Sequence, residues 1–71
     1  MKRFLRYSLE HGRRIRAMLM LDGAIKQQPV TVLAFDEDTA TLLIGQRKKP
    51  VDVPLGDILS CDYARGDTGE D

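Results

Sequence analysis

The sequence has no tryptophan, one cysteine, one histidine and three prolines in 71 residues. Each shortage closes a class of function. Cys61 alone makes no intrachain disulfide, and Cys61 with His11 falls short of a tetrahedral zinc site unless other ligand types or a second chain contribute. The longest apolar run, Ala17-Met18-Leu19-Met20-Leu21, is five residues, where a bilayer span needs about 20 and the core of a secretory signal at least about 7. A cytoplasmic chain that makes no use of a membrane is expected. The aromatics are Phe4, Tyr7, Phe35 and Tyr63. At least two are needed in the core, which leaves few to stack single-stranded bases. The length leaves no room for a doubly wound sheet or an eight-fold barrel. A domain of this size buries only about 60% of the surface its unfolded chain exposes, so its core is thin and association with a partner is an early expectation.

What is present is charge, in equal amounts of each sign: eleven Lys and Arg against eleven Asp and Glu. The balance conceals an asymmetry. Through residue 16 the chain holds six bases against Glu10, a net of +5, and from Asp52 onward six acids against Arg65, a net of −5. A basic patch can attract phosphates. Opposite poles on a short chain can also face one another, within a molecule or between molecules.

Leu5 and Leu9 are four apart, with Phe4, Tyr7 and His11 at neighbouring helical spacings, which predicts a helix over 2–11 with an apolar stripe and a stop at Gly12. From Arg13 the period becomes two. Ile15, Ala17, Leu19 and Leu21 share one strand face, and Arg14, Arg16, Met18 and Met20 the other. Asp22-Gly23 signals a tight hairpin turn into a second strand over 25–36, with an interruption expected at Pro29. A polar turn from Asp36 to Thr39 leads to a third strand over 40–44, and the basic turn Arg47-Lys48-Lys49-Pro50 to a short fourth at Val51–Val53. Leu55 to Ile58 reads as one helical turn, 59–64 as a last strand, and 65–71 as an acidic mobile tail after a single domain over 1–64. One short helix cannot cover five flat strands, so the expected fold is mainly β: an N-terminal helix followed by a five-stranded antiparallel sheet curled into a small SH3-like or Sm-like barrel.

Leu9-x-x-Gly12-Arg13-Arg14-Ile15, Asp22-Gly23 and Val53-Pro54-Leu55-x-Asp57-Ile58-Leu59-Ser60, in this strand order, resemble the small Sm-like barrels. Within that group the chain is most similar to the WYL domain of bacterial regulators, over roughly residues 3 to 64. The resemblance implies a barrel that binds a ligand or a partner. The Trp-Tyr-Leu signature of that family is replaced by Thr41-Leu42-Leu43, so its ligand residues are not carried over. Arg65-Gly66, which is similar to an Sm pair, follows the last strand where the family has it before, so no Sm-type RNA pocket is implied.

Catalysis needs a nucleophile or base held beside an orienting partner in a sheltered pocket. His11 suits the end of its helix, Cys61 the last strand as a small apolar residue, and Asp36-Glu37-Asp38 an ordinary hairpin turn. No catalytic residue, metal or cofactor is assigned, and the chain is not read as an enzyme. The candidate phosphate ligands are Arg13, Arg14, Arg16, Arg47, Lys48 and Lys49, which suit a nucleic-acid backbone or a nucleotide if they converge. Met18 and Met20 form a candidate interaction surface if the helix leaves them uncovered, and the simpler expectation packs Leu5 and Leu9 on them. The function expected is a small module that binds a protein or itself, with a nucleic-acid- or nucleotide-binding regulator as the alternative.

Overall fold

A computed structural model describes residues 2–69. The order of elements is helix α1 (Lys2–His11), strands β1 (Ile15–Leu21), β2 (Ala24–Phe35), β3 (Thr39–Ile44) and β4 (Val51–Pro54), a 3-10 turn (Leu55–Asp57) and strand β5 (Ile58–Tyr63). All neighbouring strands are antiparallel, in the order β4-β3-β2-β1-β5. The ladder does not close, and β4 and β5 are its two edges.

One face of this sheet carries nearly the whole core. Ile15, Ala17 and Leu19 of β1, Val30 and Val32 of β2, Ala40, Leu42 and Ile44 of β3, Val53 of β4 and Ile58 of β5 are all buried in one cluster. Helix α1 packs chiefly against β2, with smaller contacts to β5 and β1. It packs little on β3 and β4, whose inner residues Ala40, Leu42, Ile44 and Val53 are buried in the same cluster. Two bulges interrupt the ladder. Val32 pairs with Leu42 and Ala34 with Thr41, leaving Leu33 as an extra residue in β2; Met18 pairs with Ser60 and Leu19 with Ile58, leaving Leu59 extra in β5. Such insertions bend a strand and increase its twist.

The expected break at Pro29 does not occur. β2 runs through it, with Pro29 opposite Arg16. The Pro29 carbonyl accepts from the Gly45 N–H, on the side where β3 has just ended at Ile44. A residue's N–H and C=O share one side of a strand, so the donor that proline lacks lies beyond the last rung and breaks nothing.

The helix is rotated relative to the expected stripe. Leu5, Tyr7 and Ser8 are buried, whereas Leu9 and His11 are exposed. Ser8, polar and fully buried, is the reason. Its hydroxyl accepts from the Val32 N–H at 2.9 Å and donates to the Arg13 carbonyl at 2.6 Å, while its own carbonyl accepts from the Arg13 N–H. Gly12, at φ 63°, makes the left-handed reversal that brings Arg13 back over Ser8. One side chain thus fixes the helix, the corner into β1 and the middle of β2. At the far end of β1, Asp22 (φ 51°) and Gly23 (φ 79°) are both left-handed, as a two-residue turn matched to strand twist requires.

Candidate functional site

Five of the six basic candidates fall into two groups, and Lys49 joins neither. Arg13 and Arg16 face acids of the last third of the chain. Arg13 donates from Nη1 to the Tyr7 hydroxyl at 2.9 Å and stands 4.0 Å from the Asp67 carboxylate, to which Tyr7 in turn donates at 2.8 and 2.9 Å. Arg16 donates from Nε to the Tyr63 carbonyl at 2.7 Å and from Nη2 to its cross-strand partner Asp62 at 3.2 Å. Two bases of the beginning, Arg13 and Arg16, therefore face two acids of the finish, Asp67 and Asp62, within one molecule. The exposed Arg16–Asp62 pair contributes little to stability, about 0–1 kcal/mol. Its consequence is to occupy Arg16.

The segment from Arg65 through Gly69, expected as a loose tail, is tied to the helix by Asp67. The Gly69 N–H and the Tyr7 hydroxyl both donate to this carboxylate and hold its pKa below the ordinary 3.8. Tyr7, shielded from water and facing that carboxylate, is raised above 10.0. Tyr63 stands edge-on to Phe4 and to Tyr7, at 4.9 and 5.1 Å between ring centres. Three of the four aromatic rings are thus engaged beside the helix. Glu70 and Asp71 lie outside the described residues.

Arg14, Arg47 and Lys48 form the second group. With Thr31, Leu43, Gly45 and Gln46 they line a cleft of about 300 Å³ on the outside of the sheet. Lys49, in the same turn, is exposed and does not line it. A neighbouring cleft of about 250 Å³ contains Lys26, Asp22 and Gln28 and shares Arg47 with the first.

Met18 and Met20 are not beneath the helix, which packs on the opposite face. They are 38% and 36% exposed, Ile25 is 58% and Leu59 47% exposed. Met20 is the direct cross-strand partner of Ile25, and Leu59 bulges beside Met18. The four exposed side chains occupy neighbouring positions across β5, β1 and β2. Ile25 was within reach of the sequence: the Asp22-Gly23 turn sets Leu21 opposite Ala24 and hence Met20 opposite Ile25. Leu59 was not, because its exposure follows from a bulge that the alternation does not announce.

Several other polar groups are committed to structure. Asp36 accepts from the backbone N–H groups of Asp38 and Thr39, both at 2.8 Å, which lowers its pKa and makes it the cap of its own hairpin turn. Asp52 accepts from the Thr41 hydroxyl at 2.7 Å. Burial raises the Cys61 thiol above its ordinary value, the direction opposite to activation. The His11 ring rests against Tyr7 at 4.8 Å. Among the described residues no three His, Cys, Asp or Glu side chains are grouped to hold a metal ion, and no helix is long and apolar enough to cross a membrane. No protein-family model, curated protein or solved structure matches the chain.

Proposed function

We propose that this chain is a small binding and assembly module that associates through the outer face of β5, β1 and β2, with a second copy of itself as the partner. The curled sheet is read as a small barrel of the SH3-like or Sm-like kind, left open between β4 and β5. The observation that carries the reading is the exposed strip of Met18, Met20, Ile25 and Leu59. Methionine is flexible and polarizable and adapts to an opposing surface.

The surroundings of the strip favour self-pairing. Gln27 and Ser60, the two partners of Met18, are uncharged, and at the end of the strip Arg16 and Asp62 neutralise each other. Met18, Met20, Ile25 and Leu59 carry no charge themselves, so the strip can meet its own copy about a two-fold axis with no like-charge penalty within it, while the uncompensated Arg14 lies beyond its Arg16 end. Sedimentation velocity over a range of concentrations tests this. The expected result is a rising average mass for the wild type and a monomer for Ile25→Lys, whose exposed position lets the fold survive the change. A wild type that stays monomeric at every concentration overturns the proposal.

A further inference from the structure

The cleft around Arg14, Arg47 and Lys48 has no role in that association. A row of side-chain positions runs across three strands on the outer face: Thr31 pairs with Leu43, and continuing the Ile15–Val30 register places Arg14 next to Thr31. The turn after β3 closes one side of the cleft. Gly45, at φ 61°, reverses the chain there, and its N–H to Pro29 and the Arg47 N–H to the Ile44 carbonyl brace the turn. Arg47 and Lys48 are consequently carried on a held loop.

No carboxylate lines the cleft. Among the described residues the acids that neutralise cations do so elsewhere, Asp62 at Arg16 and Asp67 at Arg13, and neither Arg14, Arg47 nor Lys48 makes an ion pair or side-chain hydrogen bond. Three basic residues from two distant segments thus line one open cleft together with Thr31 and Gln46. From this we infer that the cleft is a site for a small phosphate-bearing anion with at least two negative charges. The planar forks of Arg14 and Arg47 match pairs of phosphate oxygens, and Lys48 adds a point charge. The volume, about 300 Å³, is at the small end of ligand pockets. With three of four aromatic rings packed at the helix and none lining the cleft, the recognised group is the phosphate and not a base.

Inorganic pyrophosphate, titrated into the isotopically labelled full chain and followed by amide chemical shifts, is the test. The amides of Thr31, Leu43 and Gly45 to Lys48 are expected to move together and saturate, with affinity falling as salt rises because the cations are exposed. Arg47→Ala with Lys48→Ala is expected to weaken binding by about tenfold or more, from loss of charge-assisted contacts. Lys49→Ala, in the same turn but outside the cleft, is expected to bind as the wild type does. Shifts that never saturate, or that fall equally with Lys49→Ala, overturn the inference. So does a short DNA duplex that binds where pyrophosphate does not, since the cations would then serve an extended backbone.

Discussion

Replacing Ser8 by alanine tests the account of how helix, corner and sheet are joined. The Val32 N–H that donates to Ser8 is buried, so losing its acceptor leaves a desolvated donor, at a cost of about 1–3 kcal/mol. The bond to the Arg13 carbonyl is worth less, about 0.5–1.5 kcal/mol, because water can reach that exposed corner. Alanine's higher helix propensity returns a few tenths of a kcal/mol. The net expectation is a loss of about 2–3 kcal/mol, against a total stability of about 4–11 kcal/mol for a chain of this length. In a domain this small that lowers the melting temperature by about 10–20 °C. Urea unfolding followed by circular dichroism measures it, with Leu9→Ala alongside. Leu9 is 41% exposed and its truncation is expected to cost under about 1 kcal/mol. If Leu9→Ala is the more damaging of the two, the helix faces the sheet with the other stripe and the reasoning fails.

The acid side of the stability curve carries a second expectation. The folded carboxyls of Asp67 and Asp36 sit below their ordinary 3.8, so their contribution is complete above that value and is lost as pH falls through the depressed folded values. Asp67→Asn is therefore expected to be less stable than the wild type near neutrality and to converge with it in acid, as read from urea midpoints across the acid range; a constant gap at all pH values contradicts this. At the Asp22-Gly23 turn, Gly23→Ala meets no atom within 4 Å yet must hold φ near 79°, so the cost is backbone strain of about 1–2 kcal/mol. An unchanged urea midpoint for that variant would mean that the turn is not left-handed at Gly23.

Much of the fold was legible because period and turn chemistry are local. Helix and strand boundaries lie within a residue or two of those read from the alternation around Ile15, Ala17 and Leu19, and the Asp22-Gly23 turn is where its dipeptide says. The bulges at Leu33 and Leu59 were not legible, since an extra residue in a strand shows itself only against its partner. The same holds for the helix face. Apolar spacing pointed to Leu9, but the backbone N–H of Val32, in a strand that begins thirteen residues after the helix ends, selected Ser8 as its acceptor.

The sequence by itself determined the order of elements, the inner face of β1 and the existence of two charge poles. It could not say what the poles do, because ion pairing depends on distance through space: Tyr7 and Asp67 are sixty positions apart and share hydrogen bonds. Only the tertiary structure decided which bases are answered. Pairing β5 with β1 brings β5 and the segment after it to Arg13 and Arg16, while the turn after β3 leaves Arg14, Arg47 and Lys48 lining a cleft with no acid in it. Met18 and Met20 face away from the helix that was expected to cover them, because the helix packs on the face of the sheet where Ile15, Ala17 and Leu19 lie.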